Sequence, residues 1–155
     1  MFDKDYMQRA FELAEKAKFQ DEVPVGAVIV HEGKVIGEGW NQPISSNDPT
    51  AHAEILALRD AAKKLGNYRL PEATMYVTLE PCAMCAGAIV HARLEKLVYA
   101  ITDPKTGACG SVFNLLQTEE LNHKVEIQKG VMEDECRSLI QDFFKEKRVK
   151  NREAN

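Results

Sequence analysis

The chain alternates between stretches where apolar residues recur every three or four positions and stretches where they run nearly unbroken. From Asp3 to Gln20, the residues Met7, Ala10, Phe11, Ala14 and Ala17 return at helical spacing, which predicts an amphipathic helix. Val25 to Val30 is a short, almost continuous apolar run, the pattern of a strand buried on both faces. Glu32-Gly33 then predicts a hairpin turn into a second strand, Val35 to Trp40. Asn41 to Pro49, rich in Asn, Pro, Ser and Asp, reads as a loop. A second helix is expected from about Thr50 to Leu65, capped by Asp48 or Thr50.

Gly66-Asn67 closes that helix, and Thr74 to Thr78 predicts a third strand. Pro81 stands where helices commonly begin, and Cys82 to Ala92 reads as helix. Lys96 to Ile101 predicts a fourth strand, Thr102 to Gly110 a loop, and Val125 to Gln128 a short fifth strand. The last helix is expected from about Met132 past Phe144, with Met132, Cys136, Leu139, Ile140 and Phe143 along one side. An opening hairpin followed by alternating strands and helices implies a layered α/β domain with a mixed sheet. No repeat or boundary interrupts it, so residues 1–155 are expected to form one domain.

Composition narrows the class. With 45% hydrophobic and 28% charged residues in 155, the chain has the make-up of a folded globular protein and not of a disordered one. No apolar run reaches the roughly 18 residues of a membrane span, and Met1-Phe2-Asp3 does not open a signal peptide. A cytoplasmic location is expected, where four cysteines serve as ligands or core residues and not as disulfides. The net charge of −4 argues against indiscriminate nucleic-acid binding. Its distribution is uneven: from about residue 145, Lys145, Lys147, Arg148, Lys150 and Arg152 face only Glu146 and Glu153. Such a basic helix end and tail can draw a polyanion to one face, and it is equally the pattern of a solvated helix terminus.

Two motifs carry chemistry: His52-Ala53-Glu54 and Pro81-Cys82-Ala83-Met84-Cys85. Pro-Cys-x-x-Cys arises by chance roughly 0.003 times in a chain of this composition, whereas His-x-Glu alone is common. Cys82 and Cys85, three apart in a first helical turn, present both sulfurs on one side. His52 completes a three-ligand set for zinc, which leaves a fourth tetrahedral position open to water, the catalytic form of such a site. A carboxylate beside the ion and not bound to it can shuttle protons, and Glu54 fits that role. Two other readings stay open on the residues alone. One is a thioredoxin-like redox pair, and the other a structural zinc site closed by Cys109, Cys136 or another histidine. Cys136 fits the apolar side of the last helix, and Cys109 sits in a Gly-rich loop. His31, His91 and His123 lack a second ligand at metal spacing and read as structural or exposed.

Together the motifs form the H-x-E…P-C-x-x-C signature of zinc-dependent nucleobase deaminases. The chain resembles the cytidine deaminase superfamily, and within it the bacterial tRNA-specific adenosine deaminases. The likeness rests on Pro24-Val25-Gly26-Ala27, Gly37-Glu38-Gly39-Trp40-Asn41, Asp48 to Glu54, Asn67-Tyr68-Arg69-Leu70, Tyr76 to Cys82, Asp103 to Ala108, Asn122-His123 and Phe143-Phe144. It implies a three-layer α/β/α fold with a mixed five-stranded sheet, and one zinc ion per subunit held by His52, Cys82 and Cys85.

The implied reaction is hydrolytic deamination of adenosine to inosine at the wobble position of a tRNA anticodon, an arginine tRNA with ACG, with Glu54 as proton shuttle. The backbone of Ala53 and Pro81 would hold the reacting edge, Asn41 the purine, and Asp103 the sugar of a neighbouring nucleotide. Phe144 and the basic residues Lys145, Lys147, Arg148, Lys150 and Arg152 would meet the anticodon stem-loop, and the family acts as a homodimer. The rivals are a free guanine or cytosine deaminase of the same superfamily, and a non-catalytic RNA-binding module with structural zinc.

Overall fold

The computed structural model describes residues 2–154; Met1 and Asn155, the two ends of the expected domain, lie outside the described residues. Five strands and four α-helices alternate as the apolar pattern predicts: α1 (Asp3–Phe19), β1 (Gly26–His31), β2 (Lys34–Trp40), α2 (Ala53–Leu65), β3 (Thr74–Leu79), α3 (Ala83–His91), β4 (Lys96–Ile101), β5 (Glu126–Lys129) and α4 (Glu133–Ala154). A short 3-10 turn at Leu115–Gln117, absent from the apolar pattern, buries Leu116. The strands form one sheet in the order β2-β1-β3-β4-β5. β1 pairs antiparallel with both β2 and β3, while β3, β4 and β5 run parallel. It is therefore a mixed sheet.

The alternation of side chains along each strand sends two apolar sets to opposite faces. Ala27, Ile29, Met75, Val77 and Leu97 pack with Ala57, Leu58 and Ala61 of α2 and with Ala86 and Ile89 of α3. On the other face Val28, Val30, Tyr76, Val98 and Ala100 pack with Met7, Ala10 and Leu13 of α1 and with Cys136 of α4. The result is the three-layer α/β/α arrangement. Cys136 and Phe143 are buried, as their helical stripe requires, and Phe144 is exposed.

Two details of the packing matter for the site. β2 lies directly on α2: a Cβ on Gly39 would stand 2.2 Å from the Ala53 carbonyl and 2.6 Å from the Ala57 nitrogen. Only glycine permits that approach, so the strand fixes the first turn of α2 backbone against backbone. On the opposite face Asp3 spans the sheet, accepting the Tyr76 hydroxyl at 2.6 Å and the Gln128 amide at 3.2 Å. Tyr6 packs on Tyr76 with ring centroids 5.2 Å apart, and the start of α1 is thereby pinned to β3 and β5.

Three expectations need correction. α2 begins at Ala53, and neither Asp48 nor Thr50 caps it. The Asp48 carboxylate instead accepts the Thr50 backbone N–H at 2.8 Å and hydroxyl at 2.7 Å, closing a local turn that keeps the chain out of helix until His52. α3 begins at Ala83, because Cys82 has extended backbone (ψ 177°) and serves as its N-cap; Pro81 lies outside the helix. The basic end is no separate tail, since α4 continues as helix through Ala154.

Candidate metal centre and its rim

His52 and Cys82 are the N-cap residues of α2 and α3, so the N-termini of two helices converge on one point. The unpaired N–H groups and helix dipoles there favour negative charge, which suits thiolates. Cys85 follows Cys82 by three residues, in the first turn of α3, and is buried. The His52 Nδ1 atom lies 3.6 Å from Cys82 Sγ and 3.5 Å from Cys85 Sγ. A tetrahedral zinc ion, with bonds of about 2.3 Å to sulfur and about 2.05 Å to nitrogen, sets those ligand atoms about 3.6 Å apart. The donors therefore fit the ion in type and in spacing. They are the only such group of three among the described residues, and Cys109, Cys136 and the other histidines do not join it.

Charge in the metal-free cluster follows from the geometry. The Cys82 thiol is held down to about 4 by its hydrogen bond from Cys85, with His52 adding to the effect. Cys85 is pushed far up, first because it keeps that shared proton and then by burial. The bond to Cys82 also raises His52. A divalent cation held by these three donors would take the place of the shared proton.

Glu54, in the first turn of α2, is only 4% exposed and sits against the Cys85 thiol. Burial, opposed by a backbone hydrogen bond, pushes its carboxyl up to about 7. A carboxyl near neutrality is suited to both taking and giving a proton. No lysine or arginine pairs with it among the described residues.

The remaining candidates surround these four. Asn41, at the end of β2, accepts the Ala53 backbone N–H through Oδ1 at 2.9 Å, supplying the cap that α2 lacks in its own sequence. The Pro81 carbonyl accepts the Ala108 N–H at 2.9 Å. Asp103 turns its own loop, accepting the Lys105 and Thr106 N–H groups and the Thr106 hydroxyl. Beyond that loop, Lys105 and the α4 residues Ile140, Phe144, Lys145 and Arg148 line a groove of about 700 Å³. Lys147 is turned away from it and pairs with Asp21 at 2.7 Å. Lys150 lines the neighbouring side of α4, and Arg152 is exposed on its last turn. His31 is partly buried, His91 exposed, and the His123 ring bonds the Leu94 carbonyl at 2.7 Å.

Comparison with known proteins places this arrangement. The model of the MafB19-like deaminase family matches residues 1–148. The chain belongs to that deaminase family. The deaminase is 51% identical over 148 residues to a protein of Haemophilus influenzae named tRNA-specific adenosine deaminase, covering 95% of this chain and 86% of the relative. It is 47% identical over 152 residues to the Bacillus subtilis protein of the same name, covering 98% and 94%. A solved structure from a study of A-to-I editing by tRNA:A34 deaminases superposes with a TM-score of 0.84 at 43% identity. That match covers 87% of this deaminase and 98% of the other chain. The cytidine-deaminase-like α/β fold expected from the motifs is thus the fold observed.

Sequence reasoning missed three residues of the rim. Lys105 gave no signal apart from its loop. Glu22, 1% exposed, accepts the N–H groups of Ile44 at 3.3 Å and Ser45 at 2.7 Å, and so holds the loop that follows Asn41. Glu80, 2% exposed, does the same for the loop after β4. An acidic residue directly after an apolar strand is the only trace Glu80 leaves in the sequence, and Glu22, in the turn between α1 and β1, leaves none.

Proposed function

We propose that this deaminase, a single domain, converts adenosine to inosine at the wobble position of a tRNA anticodon, with an arginine tRNA carrying ACG as substrate. The observation that carries the reading is the three-donor cluster at zinc spacing with the buried Glu54 carboxyl against it. The names of the relatives support the adenosine and tRNA specificity.

His52, Cys82 and Cys85 would hold one zinc ion per subunit. Zinc bound there supplies Lewis acidity that makes water nucleophilic near neutral pH. Glu54 accepts one proton from the attacking water and gives it to purine N1. It then takes the second proton, left on the oxygen now bonded to C6, and passes it to the departing amino group, so that water and adenosine become inosine and ammonia. The Pro81 carbonyl, which accepts the Ala108 N–H at 2.9 Å and the weakly donating Cys109 thiol at 3.9 Å, and the backbone of Ala53 would hold the reacting edge. Asn41 retains its amide donors for the purine while its oxygen caps α2.

The groove of Lys105, Phe144, Lys145 and Arg148 suits an anticodon loop: cations for phosphates and one exposed ring for a base. Asp103, whose side chain holds the N–H groups of Lys105 and Thr106, would meet a neighbouring sugar. Lys150 and Arg152 would extend the same helix toward the stem, while Lys147, its charge offset by Asp21, would add less. An apolar cleft of about 350 Å³ between α2 and α3, lined by Ile55, Leu58, Ala62, Tyr68, Ala88 and Ala92, supports the homodimer. No helix among the described residues is long and apolar enough to cross a membrane, and the reduced cysteines suit the cytoplasm.

The deciding measurement is inosine at the wobble base of an ACG anticodon stem-loop, run beside free adenosine, cytidine and guanine. Inosine in the stem-loop alone is expected. Turnover of guanine or cytosine with an inert stem-loop overturns the assignment in favour of a free-base deaminase. Full RNA binding with no turnover of any substrate would favour a binding module.

A further inference from the structure

Glu80 is the residue that joins the end of β3 to Pro81 and the first metal-binding cysteine, and it takes no part in the proton transfers above. Its carboxylate is buried without a cation: none of the ion pairs among the described residues includes it. All of its hydrogen bonds instead reach one loop. Oε1 accepts the Asp103 N–H at 3.0 Å and the Ser111 hydroxyl; Oε2 accepts the Cys109 N–H at 3.0 Å and the Ser111 N–H at 3.1 Å. Four donors thus gather the two ends of the 103–111 segment onto two oxygen atoms. The loop packs so closely that a Cβ on Gly107 would fall 2.4 Å from the carboxylate. Next to this, Ala108 donates to the Pro81 carbonyl at 2.9 Å.

We propose that Glu80 is a positioning residue that sets the 103–111 loop as the wall between the cysteine pair and the Lys105–Phe144 groove, and so governs how substrate RNA is gripped. The linkage is short. Glu80 holds the Asp103 backbone, the Asp103 side chain holds the N–H groups of Lys105 and Thr106, and Lys105 faces Phe144, Lys145 and Arg148 across the groove. A carboxylate is needed because every neighbour is a donor. Glutamine has one acceptor oxygen, and its NH2 group, even with the Ser111 hydroxyl turned to accept, would oppose at least one backbone N–H, that of Asp103 or those of Cys109 and Ser111.

This role rests on the tRNA reading for its kinetic consequence, and on geometry alone for its structural one; the test separates them. Wild type, Glu80→Gln and Lys105→Ala are compared as zinc-loaded full-length proteins. The Glu80→Gln change is expected to raise KM for the ACG stem-loop about tenfold, with kcat within about twofold, as loss of charge-assisted hydrogen bonds remote from the reacting atoms predicts. Zinc per chain stays at the wild-type level. Combined with Lys105→Ala, the two effects are less than additive, because both act through the same groove.

Amide hydrogen exchange of Asp103, Cys109 and Ser111 rises in Glu80→Gln while that of β4 does not. A fall in zinc content, a fall in kcat at unchanged KM, additive effects, or wild-type exchange at those three amides overturns the proposal. If wild type leaves the stem-loop untouched, the substrate reading fails, and the exchange measurement still decides Glu80. Ser111→Ala, which removes only the hydroxyl donor at an exposed residue, carries the same exchange test should Glu80→Gln not fold.

Discussion

The side-chain oxygen of Asn41 accepts the backbone N–H of Ala53 at 2.9 Å, tying the end of β2 to the first turn of the helix that carries Glu54. One residue therefore serves the fold through its oxygen and is left with an amide group for the substrate. Asn41→Ala should cost about 1 kcal/mol in urea unfolding, the usual loss for a missing helix cap. Asn41→Asp keeps the acceptor, so it should unfold like wild type while raising KM for the stem-loop. Equal destabilisation by both changes would break the link between cap and substrate.

The contact of Gly39 with α2 sets a second expectation. A methyl group there meets the Ala53 carbonyl and Ala57 nitrogen, neither of which can move without the helix. Gly39→Ala should destabilise by about 1–3 kcal/mol, as overpacking commonly does. It should also lower zinc retention, because His52 immediately precedes the displaced turn. Urea midpoints together with metal content by atomic absorption check both halves.

Basic residues on α4 should not contribute equally. Arg148 lines the groove, whereas Lys147 is held by Asp21. Arg148→Ala should weaken stem-loop binding and lower the slope of log K against log salt by about 1, and Lys147→Ala should change the slope less. Filter binding at several salt concentrations distinguishes them.

The Asp21–Lys147 pair also predicts a pH dependence. The bond from Lys147 lowers the Asp21 carboxyl below its ordinary value, so the unfolded state binds the proton more readily. The stabilising contribution is present above the unfolded carboxylate value and is lost as pH falls through the folded one. Asp21→Asn should therefore loosen the last turns of α4 at pH 7 relative to wild type, and the difference should vanish on acidification. Amide exchange along α4 reads this.

Metal removal should expose one thiol selectively. In the metal-free protein Cys82 is half-buried and ionised, Cys85 and Cys109 are buried with raised thiols, and burial pushes Cys136 up to about 12. After chelation, iodoacetamide at pH 7 should label Cys82 first, as thiolate character dictates. Added zinc should protect it and restore inosine formation. Labelling of Cys136 ahead of Cys82, followed by mass spectrometry, would contradict the charge pattern.

What the sequence makes legible here is whatever local order encodes. The period of Met7, Ala10 and Ala14, the unbroken run from Val25 to Val30, and the Cys82–Cys85 spacing each act within a few residues, and each matches the structure. The start of α2 is not encoded locally, because its cap comes from Asn41, twelve residues away across a loop, while Asp48 spends its carboxylate on Thr50. Cys82 reads from spacing as part of α3, because spacing alone does not separate an N-cap from a first helical residue. Glu22 and Glu80 stayed hidden for the same reason, since their partners lie 22 to 31 positions along the chain. The pairing of Lys147 with Asp21, 126 positions apart, is the extreme case.

The reach of Asp3 across to Tyr76 and Gln128 has a practical corollary for protein engineering. A buckle fastened by the third residue tolerates additions ahead of it, because Phe2 is 81% exposed. Trimming past that aspartate unfastens it, releases the phenol of Tyr76 and uncovers the apolar lining beneath α1. Fusion partners on this side are therefore best appended and never exchanged for native residues.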